Sequence, residues 1–494
     1  MIALDADQFA EIIKSIFPIY LILALPIFII LSPINPVEAS HEFSAYRMQH
    51  FDLHGTARGC RSSVINLEAR SLSTWSTLRH CVIAHFEDLA LEQLDKLLTQ
   101  AGALLIILPR DFSKLSAEEK QNVLSIEKYL LLQQVQIPIY FLEWSYELKT
   151  IVRDLSTGLT ASEPKETAAH ALFNSISANG YQVSINAPRP NIKYDLQIPT
   201  IQVFTHHSFV AHYDSFGVAP ELSYGSDSNG SGVVALLELT HPRFNMLFLL
   251  SGGGKINYQG SKKWLEDNID VSEGSTLHVR ILPVSIYTNI VKNVSDDANS
   301  IHMVHKKINL ADDLLAWEHE RFSIKRLPAF TVSSLTSHKD YIRSTIFDTK
   351  ANVNTAFLEK NVNLLAESLA EVYVNCFFFQ GVRSNFIKSW VEFLSNHPRS
   401  AQLLGDKNNI LVNILQESMG TYLGDVKVSY MTADKRDPEF VFYDVTKAAL
   451  HIYNVKPAVF DLFLSAAIGA YLGFCYLAIL VSLAARILFY TVST

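Results

Sequence analysis

The chain has 494 residues, of which 49% are hydrophobic and 18% are charged. This composition supports one large globular unit or two to three ordinary domains. The formal net charge is −8 and no basic block is long enough to follow a phosphate backbone, which excludes nucleic acid as an expected partner.

The first predicted element is an apolar segment near the N-terminus. Residues 16–31 (IFPIYLILALPIFIIL) carry no charge, follow Lys14, and precede SPINPVEAS, in which Val37, Glu38 and Ala39 form an imperfect small-residue cleavage site. Two internal prolines and the modest length favour a secretory signal peptide over residues 1–39. The alternative is an uncleaved membrane anchor.

An α/β pattern follows. The run ALLIIL at 103–108 lies between Gly102 and Pro109 and is typical of a buried parallel strand. Ser116 and Glu119 have the spacing of a capping box, which predicts an amphipathic helix to about Leu132, and residues 139–142 are the next predicted strand. Strand, helix and strand in this order predict a right-handed crossover, so residues 40–155 are predicted to form an N-terminal α/β lobe.

Residues 156–190 contain TGLTASEPKET and NAPRPN and are predicted to be a polar linker. In a second lobe, residues 191–375, a strand is predicted to end at His212, a helix to cover 231–239 and another strand to cover 245–250. The motifs HYD (212–214) and SDSNGSG (226–232) then lie at the carboxyl ends of parallel strands, where open α/β sheets place their sites.

After Thr355 the pattern becomes helical, so residues 376–461 are predicted to be a helical, membrane-proximal region. Within it, DKRDPEFVFYD (434–444) alternates charges with Phe440 and Phe442. Two interpretations stay open: an edge strand that packs its aromatic side chains inward, and a docking surface for another membrane protein.

The last predicted element is a membrane span. Residues 462–485 (LFLSAAIGAYLGFCYLAILVSLAA) carry no charge between Asp461 and Arg486, and a helix needs roughly 20 such residues to cross a bilayer. A buried core helix is the alternative. A span here predicts a single-pass type I membrane protein whose mass is mostly lumenal and whose residues 486–494 form a cytosolic tail.

Four cysteines are present, and Cys475 falls inside the predicted span. Cys60 and Cys81 form the predicted disulfide, and Cys376 is left as a free thiol. A large lumenal part with so few disulfides is expected in the endoplasmic reticulum.

The order of the HxD motif, a Gly/Ser-rich turn around Asp227, an apolar strand and the Gly260-Ser261 pair is similar to the co-catalytic zinc aminopeptidases, whose fold nicastrin and the transferrin receptor also carry. Longer motifs resemble the nicalin family over most of the chain from His41 to the span: HEFSAYRMQHFDLHG, AHYDSFGVAP, SGGGKINYQGSKKWLEDN, MVHKKINLADDLLAWEHERF, DKRDPEFVFYD and KPAVFDL. This resemblance implies an aminopeptidase-like mixed sheet flanked by helices.

The resemblance implies that His212 matches the first metal ligand, Asp227 the bridging carboxylate and Asp214 the residue that orients the histidine. The peptidases' adjacent glutamates, one a general base and one a ligand, are expected six and five residues before Gly260. This chain has Gly254 and Lys255 there.

Two further ligands are missing from the pattern. The stretch VRILPVSIYTN contains no carboxylate, and the closing histidine aligns with Ser344 of STIFDT. Two surviving ligands fall short of the three that a catalytic zinc ion keeps. An ammonium about 4 Å from a divalent cation opposes its binding by roughly 8 kcal/mol at an effective dielectric of about 20. Loss of the base costs a further rate factor of roughly 10² to 10⁴. We therefore expect an inactive peptidase scaffold with no metal and no cofactor.

Several other clusters receive structural interpretations. In WEHERF, Glu318, His319 and Glu320 point about 100° apart on a helix, which favours a solvated or partner-facing helix. His206 and His207 are interpreted as loop residues. Asn229 (NGS) and Asn293 (NVS) are glycosylation candidates. A glycan on Asn229 would cover the former cleft, and the alternative is that this sequon is a by-product of an Asn/Gly/Ser turn.

The nicalin resemblance implies a non-catalytic subunit of an endoplasmic reticulum membrane complex. The family acts with Nodal modulator and a small multi-spanning membrane protein, beside the Sec translocon, in multipass membrane protein biogenesis. Two hypotheses from other classes stay open: a zinc aminopeptidase with substitute ligands, and a receptor-like module that binds a peptide amine at Asp214 and Asp227. The links at 239–245 and 277–300 are shorter than the family pattern, which indicates a trimmed lobe or lost exons.

Overall fold

The computed structural model describes residues 41–76, 79–160, 180–203, 208–240, 247–269, 304, 307–312, 314–335, 337–374, 381–406, 408–434, 436, 438–455 and 458–492. The predicted signal peptide, His206, His207, Asn293, Cys376 and most of both short links lie outside these residues.

Strands and helices are numbered in chain order. The strands are β1 (His41–Arg47), β2 (His50–Leu53), β3 (Thr56–Cys60), β4 (Ile65–Ser71), β5 (Cys81–His85), β6 (Ala103–Ile107), β7 (Gln134–Val135), β8 (Ile139–Leu142), β9 (Gly180–Ile185), β10 (Ile198–Val203), β11 (Ser208–His212), β12 (Leu247–Ser251), β13 (Lys427–Met431), β14 (Phe440–Phe442) and β15 (Lys447–Val455). The α-helices are α1 (Leu91–Gln100), α2 (Ala117–Leu132), α3 (Tyr146–Thr160), α4 (Ser231–Leu239), α5 (Gln259–Ile269), α6 (His319–Ile324), α7 (Thr355–Val374), α8 (Ser384–Ser395), α9 (Ala401–Leu404), α10 (Ile410–Gly420) and α11 (Ala458–Val492).

The N-terminal lobe is built on a closed sheet. Among the described strands its order is β1-β15-β9-β4-β5-β6-β8. The strands from β4 through β5 and β6 to β8 are parallel, whereas β1, β15 and β9 run antiparallel to their neighbours. All five residues of β6 are buried, because apolar side chains cover both of its faces. The predicted parallel strand is confirmed.

Helix α2 crosses between β6 and β8 and begins at the predicted capping box. The Ser116 hydroxyl accepts from the Glu119 amide at 3.2 Å, and the Glu119 carboxylate accepts from the Ser116 amide at 2.8 Å. Each side chain thus satisfies a backbone donor that the first helical turn leaves free. The predicted crossover unit is confirmed.

The second lobe contains a smaller mixed sheet, whose described order is β11-β12-β10-β13. β11 and β12 are parallel and bring His212 opposite Ser251. The helix predicted over 231–239 is α4, which packs Val233, Val234 and Leu237 into the core of this lobe. The α/β fold class is confirmed, and the predicted strand end at His212 is correct.

Two predicted boundaries are wrong. Residues 180–185 of the expected linker form β9, which pairs with β4 and β15 in the N-terminal sheet. Residues 447–455 of the expected helical region form β15, which lies between β1 and β9. Every second side chain of β9 is buried, as are Leu450 and Ile452 of β15, and antiparallel partners far along the chain determine the conformation of both segments.

The DKRDPEFVFYD motif contains an edge strand. β14 pairs with β2 at one end of a small sheet whose described order is β14-β2-β3-β7. Phe440 and Phe442 are buried in a core shared with Phe51 and Leu53. Of the two interpretations, the structure has the edge strand with inward aromatic side chains.

The C-terminal helix α11 has 35 residues, and Leu464–Val481 is its most apolar window, with 6% of that window buried. In the part of the chain that the structure describes, this is the one helix long and apolar enough to cross a membrane. Its exposed leucines rule out the alternative of a buried core helix, because such a helix covers its apolar side chains with protein.

The predicted disulfide is wrong in this structure. Cys60 and Cys81 are free and buried. Cys60 packs into the core cluster that contains α1 and α2, whereas Cys81 packs into the cluster on the other face of the sheet. The sheet therefore separates the two thiols.

Candidate functional site

The candidate site lies where β11 and β12 end side by side. His212 is the last residue of β11, and Asp214 follows two residues later. After β12, the chain turns through Gly252, Gly253 and Gly254 into α5. Asp227 lies in a π-helical turn, Ser226–Gly230, that leads into α4. The structure therefore brings together the residues that the HxD and SDSNGSG motifs predict.

His212 is bound by a carboxylate that the sequence pattern did not indicate. Its Nδ1 lies 3.3 Å from Glu318 Oε2, and the two side chains are 15% and 11% exposed. The other carboxylate oxygen of Glu318 accepts from the hydroxyls of Ser251 at 2.5 Å and Ser261 at 2.6 Å. Burial raises the pKa of Glu318, but the bonds from His212, Ser251 and Ser261 outweigh it and hold the pKa below its ordinary value.

The interpretation of WEHERF as a solvated or partner-facing helix is therefore wrong for its two glutamates. Glu318 precedes α6 and is buried against His212, and Glu320 is also buried. His319 points elsewhere and contacts the Thr331 hydroxyl at 2.8 Å. The side chains of Glu318, His319 and Glu320 point in different directions, as expected on a helix, but that of Glu318 points into the cleft.

His212 also fills the space beside Gly254, the position where the resemblance expects the general base. A Cβ atom added to Gly254 would overlap Cβ, Cγ and Cδ2 of His212. A glutamate cannot be accommodated there unless His212 moves, because its ring is held by Glu318 on one side and packs against Tyr258 on another. The imidazole can therefore occupy its present position only because the glutamate is absent.

Asp214 is fully engaged by the backbone. Its carboxylate accepts from the amides of Gly254 at 2.7 Å and Lys255 at 3.3 Å, and the residue is 1% exposed. Burial raises its pKa, while His212 and the two amides act in the opposite direction. A peptide amine cannot reach this carboxylate, so the hypothesis of an amine receptor at Asp214 and Asp227 loses one of its two groups.

The Lys255 ammonium occupies the cleft and donates to the backbone carbonyl of Arg343 at 2.6 Å. Burial and the neighbouring Arg343 lower the pKa of Lys255 to about 7, although Asp214 and Asp348 favour its charged form. Arg399 is a second buried cation and donates to the carbonyls of Tyr213, Tyr224 and Gly225. Burial lowers the pKa of Arg399 to about 10, and Asp348 and Asp214 oppose that shift.

The π-helical turn is held by Asp348 of the STIFDT motif. The Asp348 carboxylate accepts from the amides of Asp227 at 2.9 Å and Ser228 at 2.8 Å. Burial and the nearby Asp348 raise the pKa of Asp227. Ser344, which aligns with the closing histidine, is the first residue of this motif and the last residue of a short 3-10 turn. Asp348 thus acts as a cap of the turn.

Asn229 does not present an acceptor for a glycan. It is buried, and its Nδ2 atom, which would carry the sugar, donates to the Asp214 carbonyl. A glycan here would break that bond and would need space that the core occupies. The glycosylation candidate Asn229 is therefore contradicted by the structure, and the sequon is a by-product of the turn. Asn293 lies outside the described residues.

The side chains present do not fit a zinc centre. His212 is turned toward Glu318, and both oxygens of Asp214 bind amides. The basic side chains of Lys255 and Arg399 interact with Asp214 and Asp348 in the same cleft. Over the described ranges, no group of three or more His, Cys, Asp and Glu side chains is arranged to hold a metal ion.

Residues 314–335 and 337–343, named here the covering segment, pack across the cleft. Arg321 donates to the Asn257 carbonyl at 2.7 Å, and the Leu315 amide donates to the Asn257 side chain at 3.0 Å. Arg343 donates to the Tyr258 hydroxyl at 2.9 Å. Together with Glu318 on His212, these bonds fill the space above the strand ends with side chains of the same protein.

Sequence reasoning missed Glu318 and Arg399. Glu318 binds groups 57 to 106 residues away along the chain, and Arg399 binds groups 174 to 186 residues away, so no local spacing reveals the pairing. The one sequence feature that could have indicated Glu318 is its position within a long motif that resembles the nicalin family. The sequence around Arg399 has no motif that indicates its role.

The fold and site define a two-lobed α/β protein with one apolar C-terminal helix, whose cleft is filled by its own side chains. No protein-family model matches the chain. The protein "BOS complex subunit NCLN" of Homo sapiens is 38% identical over 536 residues, covering 94% of each chain. "BOS complex subunit ncln" of Danio rerio is 38% identical over 551 residues, covering 96% of each. "Nicalin" of Caenorhabditis elegans is 27% identical over 513 residues, covering 88% of this chain and 89% of that protein.

The chain belongs to the nicalin family. A solved aminopeptidase from Aneurinibacillus sp. strain AM-1 is similar at 12% identity and a TM-score of 0.25, covering 67% of this chain and 83% of that one. The alignment with the Danio rerio protein is 57 positions longer than the chain (551 against 494), so at least that many positions have no residue here.

Proposed function

We propose that this protein is a non-catalytic, single-span subunit of the BOS complex and acts as a lumenal scaffold in the endoplasmic reticulum membrane. The relatives that cover 94 to 96% of the chain are named as subunits of that complex. The proposed partners are Nodal modulator and a small multi-spanning membrane protein, and the proposed setting is the Sec translocon during multipass membrane protein biogenesis. The proposal includes cleavage of residues 1–39 as a signal peptide.

The observation that carries the non-catalytic part is the position of His212. Its imidazole binds Glu318 and overlaps the space that a side chain on Gly254 would need. Without a carboxylate at this position, the general base that the resemblance expects is missing. The Lys255 side chain offers no negative ligand where a dinuclear centre needs one, and its protonated form adds a positive charge there.

The scaffold part is supported by architecture. A body of two lobes with separate apolar cores is attached to a helix whose length suits a single span. A filled cleft leaves the outer surface of the lobes as the part available for partners. Such a surface suits a subunit whose contribution is to hold other chains in position.

The test is purification of the full chain from gently solubilised membranes. We expect less than a tenth of a zinc ion per chain, no release of amino acids from peptides, and co-purification of Nodal modulator, a small multi-spanning protein and Sec translocon subunits. An Asp227→Asn variant serves as a matched control and should recover the same partners. Recovery without any of these chains would contradict the scaffold proposal.

The alternative is a zinc aminopeptidase with substitute ligands. It requires one or two zinc ions per chain and peptide hydrolysis that His212→Ala abolishes. The same preparation therefore distinguishes the two functions, because metal content and partner recovery are measured on one sample.

A further inference from the structure

A further buried carboxylate lies outside the cleft, at the joint between the two lobes. Glu127 belongs to α2 of the N-terminal lobe and is 1% exposed. The loop 216–222 that follows the HxD motif and the STIFDT segment both pack onto this lobe. Val218, Ala219, Leu222, Ile346 and Phe347 lie in the same apolar cluster as α2.

Glu127 binds both of these segments at once. Its Oε1 accepts from the amides of Val218 at 3.0 Å and Ile346 at 3.0 Å. Its Oε2 lies 2.5 Å from the Thr345 hydroxyl. One side chain of the N-terminal lobe therefore fixes the backbone of two loops of the other lobe. Asp348, which caps the π-helical turn, is two residues after Ile346.

No counter-charge faces this carboxylate from the described elements around it. The charged groups on the elements packed against α2 are Arg58 of β3, Glu87 and Asp88 of the turn after β5, and Arg343. On α1 they are Glu92, Asp95 and Lys96. On the bonded loops they are Glu221, which contacts Thr446, and Asp348, which binds the π-helical turn. On α2 itself they are Lys128, which contacts the Tyr341 ring, and Glu118, Glu119 and Lys120 in the first turn. Burial raises the pKa of Glu127 to about 7 against the opposing effect of its three hydrogen bonds, and none of these charges contributes.

We propose that Glu127 is a protonation-controlled latch between the lobes: its neutral form holds the loops 216–222 and 345–348 in place, and its ionised form loosens them. In both forms, Oε1 accepts from the two amides and Oε2 accepts from the Thr345 hydroxyl, so protonation removes the buried charge and keeps the bonds. In the ionised form, the same site holds an uncompensated charge away from water, which favours opening of the joint.

The direction of the pH effect follows from linkage. Glu127 in the open joint has its ordinary pKa of 4.5, and in the closed joint its pKa is about 7. The equilibrium constant for closure of the joint is therefore largest below pH 4.5. It falls by up to about tenfold for each pH unit between the two pKa values, and it is constant above about pH 7.

Hydrogen exchange of the purified full chain between pH 4.5 and 8.5, corrected for the intrinsic pH dependence of exchange, tests the latch. We expect protection of the amides at 216–222 and 345–348 to fall through this window and then level off. Glu127→Gln keeps the two bonds that Oε1 accepts and cannot ionise, so protection there should be independent of pH. The matched control is Glu238→Gln, because Glu238 is also buried but pairs with Arg383 in the other lobe. It should retain the pH dependence of the unaltered protein at these two segments.

A second variant keeps the test decisive if Glu127→Gln does not fold. Thr345→Val removes a bond that lowers the pKa of Glu127, so the midpoint of the protection change should move to higher pH. The latch is overturned if protection at the two segments is the same at pH 5 and pH 8, if Glu127→Gln keeps the pH dependence, or if Thr345→Val leaves the midpoint unchanged.

Discussion

Gly254 shows how one residue change reorganises a site. The absence of a side chain there leaves space that His212 fills, and the imidazole in turn contacts Glu318. The glycine therefore has a packing role that is independent of backbone flexibility. Interiors packed at crystal-like density do not tolerate even one additional methyl group without rearrangement.

Gly254→Ala should destabilise the protein by roughly 1–3 kcal/mol, because the new methyl group overlaps the imidazole near its attachment to the backbone. Urea denaturation of the detergent-solubilised chain measures this change. The control is Gly424→Ala, where no atom lies within 4 Å of the added methyl group. Equal midpoints for the two variants would mean that His212 is not held as described.

At this scale, the sequence predicted which residues meet but not what they do. His212, Asp214 and Asp227 were identified because motif spacing places them at the ends of neighbouring strands. Their present partners, Glu318, the amides of Gly254 and Lys255, and Asp348, are distant in the chain. Such pairings follow from tertiary packing, which local spacing does not encode.

The covering segment depends on few anchors at the level of elements. It contains one short helix, α6, and otherwise runs as turns, so its position relies on side-chain bonds rather than on a continuous apolar face. Glu318, Arg321 and Arg343 supply those bonds. Elements held in this way are the ones that open at low free energy.

Acid should release the covering segment through Glu318. The pKa of this carboxyl is held below its ordinary value of 4.5, so the stability it contributes is present above about 4.5 and is lost as pH falls through its folded-state pKa. Glu318→Gln should lower stability at pH 7 by roughly 1–3 kcal/mol, since it weakens bonds to a charged group. The variant should also lose less stability between pH 7 and pH 3 than the unaltered protein does.

Thermal unfolding at these two pH values measures the effect, with Glu320→Gln on the same helix as the control. Glu320 accepts from the Ala316 amide and has no bond to His212, so that variant should keep the acid-dependent loss. An unchanged acid response in Glu318→Gln would contradict the assigned role.

Elements were predicted best where their signals are local. The capping box of α2 and the apolar run of β6 were read directly, because each depends on residues within a few positions. β9 and β15 were missed, because their strand partners lie up to about 410 residues away in the chain. The N-terminal lobe thus contains a strand from near the C-terminus. A division of the sequence into consecutive domains cannot predict such a strand.

In the whole molecule, β15 connects the N-terminal lobe to the membrane helix. It pairs with β1, so that His41 lies opposite Ile452, and α11 begins three residues after β15 ends. The first described residue and the start of the apolar helix therefore lie at the same end of this sheet. The N-terminal lobe is the part of the protein attached most directly to the helix.

The final prediction concerns that helix. At about 1.5 Å per residue its 35 residues extend roughly 52 Å, which exceeds a hydrocarbon core of about 30 Å. Arginine at both Leu472 and Leu477, near the middle of the window Leu464–Val481, should oppose insertion by roughly 5–7 kcal/mol. Alkaline extraction of membranes should then release most of the double variant, whereas Leu472→Ala with Leu477→Ala should stay in the pellet. Two buried charges are costly only where lipid surrounds them. Retention of the arginine variant in the pellet would therefore mean that α11 does not hold the protein in the membrane through lipid contacts at these leucines.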